Sequence, residues 1–490
     1  GEGRAWVAAP MSRLSPPDRV AGRVGRFDRT PAYRGLCLAL QELIGDGRIP
    51  DGTRLPSERA VSTALGVSRN TVTRSYAELV AAGFASARQG AGTFAMVPLE
   101  RRRAHDHTLG ATKSGEGAID LTCAAGAATP GTAAAYARAL AALPAYLAGD
   151  GYLPAGLPAL QASIAALYVR RGLPTRSDQI VVTSGALSAI AVVARALSQP
   201  GDRIAVETPG YPNAMEALRL GGARLVGTPL ADPLGETGWD TAGFEATLRQ
   251  TRPRLAYLIP DFQNPTGFLM DDATRAHHAA ALHAAGTLAI VDESLQATAL
   301  SNAPMPAPFA RHAPDAVSVG SASKLCWGGL RVGWIRAPMA LVERIVAARV
   351  QLDLGSSLFD QLVVNELLAA DEVFATRRDQ VRAQRDALAQ ALRDHLPAWR
   401  FRLPDGGLTL WVQLPHGSAT RLCRMLERSG VHLAPGPVFG VEGGLDTWLR
   451  IPYAKPAAQL VEAVQQMARA WAALPRVPGR RRADTRPLIA

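Results

Sequence analysis

From Asp120 onward, short apolar runs alternate with alanine-rich stretches, and this alternation restricts the fold more than any other feature of the chain. Ile180-Val-Val-Thr183, Arg203-Ile-Ala-Val206, Leu255-Ala-Tyr-Leu-Ile259, Leu288-Ala-Ile-Val291 and Ala316-Val-Ser-Val319 are the strand candidates. Residues 187–198, 212–220 and 273–285 between them read as helices. Strands apolar along their whole length are buried on both faces, as crossover helices make them in a mostly parallel sheet. The expected fold class is α/β, with chemistry in loops at the carboxyl ends of the strands.

Those loops carry the polar groups worth weighing. Ser184-Gly185-Ala186 opens a helix after the first strand and offers backbone N–H groups to an anion. Pro209-Gly-Tyr211-Pro212 holds a tyrosine able to stack on a flat ring, and Asn264-Pro-Thr-Gly267 follows the third strand. Asp292 ends the fourth, placed to pair with a protonated ring nitrogen. Ser321-Ala-Ser323-Lys324 follows the fifth, with Arg331 shortly after, and Arg450 lies on a late strand, suited to gripping a carboxylate. Lysine occurs at Lys113, Lys324 and Lys455 in a chain rich in arginine. An amine condenses with an aldehyde, which a guanidinium does not do. The two serines and Arg331 supply the hydroxyls and cation that a phosphate takes. An aldehyde bearing a phosphate describes pyridoxal 5′-phosphate (PLP). Taken singly, each group also has a bland reading: a loop lysine, a turn tyrosine, an ordinary helix start.

The first 97 residues follow a different plan. Leu36, Leu40, Leu43 and Ile44 predict a helix over 32–44, and Pro56 or Ser57 opens a second helix through Leu65. After the tight Leu65-Gly66-Val67 turn, Ser68 caps a third helix to about Ala82. Helix, glycine turn, helix is the helix-turn-helix layout, with Ser68-Arg69-Asn70-Thr71 presented to a major groove. Gly83-Phe84 to Ala95 reads as a hairpin wing around Arg88-Gln89-Gly90-Ala-Gly92. The chain has 490 residues, a formal charge of +11 and a pI near 10.0. That balance fits an acidic partner such as nucleic acid, and equally an arginine-favouring composition. Cys37, Cys123, Cys326 and Cys423 form no CxxC pair, so neither a metal site nor a disulfide framework is expected. No apolar run reaches the roughly 18 residues of a membrane span. A cytoplasmic protein is expected.

The run from Leu55 to Phe84, with Gln89-Gly-Ala-Gly-Thr-Phe94, resembles the winged helix-turn-helix of the GntR regulators. By that resemblance Arg59, Ser68, Arg69 and Asn70 carry the base readout, with Gln89 and Gly90 in the wing; Ser57 and Thr71 join the DNA-facing set. Arg54 is either a phosphate clamp or solvated surface. Gly185, Tyr211, Asn264, Asp292, Lys324, Arg331 and Arg450 resemble, in order and spacing, the fold-type I PLP-dependent aminotransferases. The resemblance makes Lys324 the Schiff-base lysine. It places Ser184, Ala186, Ser321 and Ser323 at the cofactor and gives Arg450 an effector carboxylate. Tyr152 looks like the tyrosine that reaches the neighbouring subunit's phosphate, which implies a homodimer. One position departs: where the family carries a tyrosine after the aspartate, this chain reads Asp292-Glu-Ser294-Leu295. Asn264 then holds the phenolate oxygen largely alone, with Ser294 at best in support, which puts turnover in doubt more than cofactor binding.

A GntR winged helix joined to such a domain is the arrangement of MocR-type regulators. The expected organisation is a flexible arm (1–30), a winged helix-turn-helix (31–97), a linker (98–117), an aminotransferase-like domain (118–475) and a basic disordered tail (476–490). The expected function is a PLP-dependent transcriptional regulator of amino-acid, amine or vitamin B6 metabolism. It binds a double-stranded operator and senses PLP or an amino compound. The alternatives are an aminotransferase with an accessory DNA-binding domain, and a DNA-binding dimer that holds no cofactor.

Overall fold

The computed structural model describes residues 17–45, 49, 52–96, 118–369 and 372–474; side chains are described outside 372–376. The expected linker and basic tail lie outside them. The chain divides into two units, each treated by itself.

In the N-terminal unit, α1 (Pro17–Val24), α2 (Ala32–Gly45), α3 (Glu58–Leu65) and α4 (Arg69–Ala81) bury one stripe each. Leu36, Leu40, Leu43 and Ile44 of α2 meet Val61 of α3 and Val72, Tyr76 and Leu79 of α4 in one core. Ser57 is the residue that opens α3, its hydroxyl accepting from Ala60 N at 3.3 Å. Gly66 ends that helix at φ 62°, a left-handed conformation that suits glycine. Ser68 caps α4 as expected, accepting from Thr71 N at 3.0 Å. Strands β1 (Ala85–Arg88) and β2 (Gly92–Ala95) pair antiparallel as the wing. One expectation needs correcting. Part of the stretch read as a loose arm forms α1, because Val20 and Val24 sit one turn apart and both reach the core.

The larger unit is built on two sheets. Strands β4 (Ile180–Thr183), β5 (Arg203–Thr208), β6 (Arg224–Pro229), β7 (Leu255–Leu258), β8 (Leu288–Asp292), β9 (Val317–Ser321) and β10 (Gly333–Arg336) form the first, in the order β4-β10-β9-β8-β7-β5-β6. Its pairs are parallel except where β10 inserts antiparallel between β4 and β9. The second sheet joins β3 (Ile119–Leu121) to β11 (Arg400–Phe401), β12 (Thr409–Gln413), β13 (Val431–Pro435) and β14 (Trp448–Pro452), in the order β11-β12-β14-β13-β3. Wholly apolar strands are buried on both faces, and β4, β7 and β10 are buried at every residue. Among the described residues no helix is long and apolar enough to cross a membrane.

Candidate cofactor site and nucleic-acid interface

In the N-terminal unit the expected DNA-facing side chains are exposed: Arg54, Ser57, Arg59, Ser68, Arg69, Asn70, Gln89 and Gly90, with Thr71 half-buried. Arg69 lies 3.7 Å from Glu58, which also accepts from the Thr73 hydroxyl at 2.6 Å. That carboxylate draws the guanidinium at the head of α4 towards α3. Arg74 is anchored instead: it stacks 3.7 Å over the Tyr33 ring and donates to its hydroxyl at 3.0 Å. Arg54 packs beside Gly92 in the wing, where a Cβ would stand 3.0 Å from its Nε.

In the larger unit β9 runs straight into the one-turn helix Ala322–Leu325 that carries Lys324. The Ser321 hydroxyl caps it by accepting from Ser323 N at 3.0 Å. Lys324 Nζ donates to the Ala124 carbonyl at 2.7 Å. Burial lowers its pKa, and the Arg450 and Arg331 cations add to the fall against Cys123 and Asp292. The amine is thereby held nearer the neutral form that attacks a carbonyl.

Asp292, at the end of β8, is buried and accepts from Tyr257 Oη at 2.6 Å and Ser294 N at 2.9 Å. Burial raises its pKa, and the hydrogen bonds from Ser294 and Tyr257 oppose that rise. Asn264 Oδ1 accepts from Arg450 Nη1 at 3.3 Å, which leaves the Asn264 Nδ2 to donate elsewhere. Arg450 is buried; its Nη2 donates to the Thr122 carbonyl, its Nε has no partner, and it lies 4.9 Å over the Phe439 ring. Burial raises the pKa of Tyr211, against the neighbouring Arg450 cation. Lys324, Asp292, Tyr211, Asn264 and Arg450 therefore share one site. Arg450 stands in the middle of β14, in the second sheet.

A second cluster adjoins Lys324. Arg331 Nη2 donates to the Ser184 carbonyl at 3.2 Å and its Nη1 to Ser323 Oγ at 3.4 Å. Gly185, at φ 97° and ψ 167°, precedes the helix Ala186–Leu197, and a Cβ there would stand 2.4 Å from Arg331 Nη2. Serine hydroxyls, a guanidinium and a helix start thus converge around bare backbone, which is the donor set a phosphate takes. Tyr152 is exposed, and its backbone N–H donates to Asp150 Oδ1 at 3.0 Å. The Ser294 hydroxyl is buried without a hydrogen-bond partner.

These residues fit PLP on the structure's own terms. Asp292 is a buried carboxylate whose hydrogen-bond donors are neutral, a setting that favours a cationic partner such as a pyridinium. Lys324 supplies the amine and the Gly185–Arg331 cradle the phosphate donors. Sequence reasoning missed Tyr257, whose only signal was a phenol in an otherwise apolar strand. It also missed Glu207, buried at the end of β5, which accepts from Trp239 Nε1 at 2.8 Å, Ile259 N at 3.1 Å and Gln263 Nε2 at 3.3 Å. Gln263 donates on to the Pro209 carbonyl at 2.8 Å, tying the Tyr211 turn to the Asn264 loop.

Comparison with known proteins matches both units. Residues 147–467 match the family described as aminotransferase class I and II, and residues 32–95 match the bacterial regulatory proteins of the gntR family. The chain is 32% identical over 314 residues to a 2-aminoadipate transaminase of Thermus thermophilus, covering 62% of this chain and 78% of that protein. It is 29% identical over 439 residues to the probable rhizopine catabolism regulatory protein MocR of Rhizobium meliloti, covering 83% and 86%. Among solved structures, LysN, an α-aminoadipate aminotransferase of Thermus thermophilus complexed with N-(5′-phosphopyridoxyl)-L-leucine, superposes with a TM-score of 0.66. It is 29% identical, over 73% of this chain and 92% of that one.

Proposed function

The chain belongs to the aminotransferase class I and II family, carries a gntR-family DNA-binding domain ahead of it in the MocR arrangement, and has PLP as its cofactor; on that premise we propose that it is an effector-sensing transcriptional regulator. The single observation that supports it best is the gathering of Lys324, Asp292, Asn264 and Arg450 in a unit whose chain continues from a winged helix-turn-helix. Bound there, the cofactor supplies an electrophilic carbon and an electron-withdrawing ring.

In this reading the protein's own groups divide the work. Lys324 is the point of attachment, its proton loosened by burial. Asp292, held by Tyr257, would balance a positive charge on the cofactor's ring nitrogen, and the Asn264 amide, whose oxygen is taken by Arg450, would donate to its phenolate oxygen. Arg331, Ser321, Ser323, Ser184 and Gly185 receive the phosphate, with Ala186 at the helix start. Tyr211 would stack on the cofactor's ring, and Arg450 would take the carboxylate of an amino compound. Tyr152 serves a second copy of the chain, so the working form is a homodimer, in the cytoplasm. Arg59, Arg69 and Asn70 read an operator, and the ligand acts through its unequal affinity for two states of the protein.

The test is operator binding measured with PLP and candidate amines, for wild type and Lys324→Ala. The expected result is an affinity that responds to ligand in the wild type and not in the variant. An affinity indifferent to every ligand contradicts the sensor reading. The identity to a transaminase supports a second reading, an enzyme with an accessory DNA-binding domain; turnover on the order of 10 s⁻¹ with amino-acid donors would favour it.

A further inference from the structure

Glu207 is the buried acid that the proposed function leaves without a task. It is 2% exposed at the end of β5, and none of the ion pairs among the described residues includes it. Its carboxylate accepts from neutral groups: Trp239 Nε1, the Ile259 N–H directly after β7, and Gln263 Nε2. Burial pushes its carboxyl up to about 7 against those donors. A buried carboxylate without a counter-ion costs stability that an apolar side chain of the same size would not, so packing alone does not account for it.

Gln263 carries that anchorage to the site. It is fully buried, and its amide is fixed from both ends. Its Oε1 accepts from Thr266 N at 3.1 Å and Thr266 Oγ1 at 2.7 Å, which turns Nε2 towards Glu207 Oε2 at 3.3 Å and the Pro209 carbonyl at 2.8 Å. A backbone N–H only donates, so the amide does not flip while Thr266 N faces it. Asn264 lies inside this clamp, between Gln263 and Thr266, and Tyr211 lies two positions beyond Pro209. The Asn264 Oδ1 is taken by Arg450, so Nδ2 is the end left to donate, and the backbone that carries it is the one Gln263 and Thr266 hold.

We propose that Glu207 and Gln263 are positioning residues, which hold the Asn264 amide at the cofactor's phenolate oxygen and the Tyr211 turn beside it. The assignment rests on the reading above, which places Asn264 at that oxygen, and adds the two groups that aim it. An amide donating there drains negative charge from the oxygen, so the Lys324 nitrogen joined to the cofactor gives up its proton at lower pH. PLP-loaded protein is titrated from neutral to alkaline pH, following the visible band of the bound cofactor. Gln263→Met, which keeps the volume and removes both hydrogen-bonding ends, is expected to raise the midpoint by roughly half to one pH unit, the worth of one neutral hydrogen bond. Glu207→Met, which removes the acceptor, raises it as well. Asn264→Ala raises it too, and the Gln263→Met, Asn264→Ala double variant rises no further than Asn264→Ala alone. Thr266→Val, which deletes only the 2.7 Å hydroxyl donor, moves the midpoint the same way by less and serves where Gln263→Met does not fold. Cys123, Arg331, Asp292 and Arg450, the other charged or titratable groups around Lys324, stay in place in every variant. An unmoved midpoint in Glu207→Met, or in both Gln263→Met and Thr266→Val, overturns the proposal. So do shifts that add in the double variant, which make Gln263 a prop acting apart from Asn264. An unmoved midpoint in Asn264→Ala instead removes Asn264 from the phenolate oxygen and overturns the reading beneath the proposal.

Discussion

A methyl group at Gly185 tests the phosphate cradle most directly. The Cβ of Gly185→Ala would stand 2.4 Å from Arg331 Nη2 and 3.2 Å from its Cζ. Non-bonded heavy atoms settle at roughly 3.5 Å, so the guanidinium must retreat by about 1 Å. Backbone strain adds to this, because φ 97° with ψ 167° is a region that residues other than glycine enter at about 1–3 kcal/mol. The retreat pulls Arg331 off the Ser184 carbonyl and Ser323 Oγ, and with them off any phosphate. A charge-assisted hydrogen bond is worth about 1.5–3 kcal/mol, so PLP affinity should fall by roughly ten- to a hundredfold. The assay is an absorbance titration of cofactor-free protein with PLP and, in parallel, with pyridoxal, which has no phosphate. The variant should discriminate against PLP alone. Equal losses for both aldehydes, or none for either, would show that Gly185 and Arg331 do not form the phosphate site.

Three further outcomes are expected. Arg69→Ala should cost about 1–3 kcal/mol of operator affinity and relax selectivity at one base pair; a loss spread evenly over unrelated sequences would reassign Arg69 to the phosphates. Tyr257→Phe removes the 2.6 Å donor from the Asp292 carboxylate, so the variant should lose about 1.5–3 kcal/mol of stability at alkaline pH and progressively less in acid, as the carboxyl protonates. A loss independent of pH would mean the phenol packs rather than donates. Burial pushes His278, stacked 4.3 Å from Phe244, down to about 4 from 6.5. The stability of its neutral form is complete above 6.5 and lost as pH falls towards 4, because the unfolded chain takes the proton first. His278→Phe should therefore remove roughly 3 kcal/mol of the acid-side decline in urea midpoints, and an unchanged slope counts against it.

The alternation of apolar runs was enough to place β4, β5, β7, β8 and β9 within two residues, because strands buried on both faces leave a continuous apolar signature. Ser68 was legible as a cap since a hydroxyl before a helix has one favourable local task. The order of Asn264, Asp292 and Lys324 was legible because each terminates or follows such a strand. The antiparallel β10 escaped notice: Gly333-Trp-Ile-Arg336 is short, and strand direction is decided by connections, not composition. The role of Tyr257 depends on β7 lying beside β8: Tyr257 pairs with Ile290, and its phenol reaches diagonally to Asp292, 35 residues away in sequence. The Thr122–Ala124 segment binds through carbonyl oxygens, and every residue type carries one, so side chains gave no warning of it.

The chain enters the larger unit through β3, and that entry is slight. Three residues, Ile119 to Leu121, pair in parallel with β13 at the outer edge of the second sheet. An edge strand this short is held by few hydrogen bonds and sits at the low-stability end of its sheet. Directly beyond it, Thr122 offers its carbonyl to Arg450 and its hydroxyl to Asp120 at 2.6 Å. Any displacement of the Arg450 guanidinium is thus felt one residue beyond the end of β3.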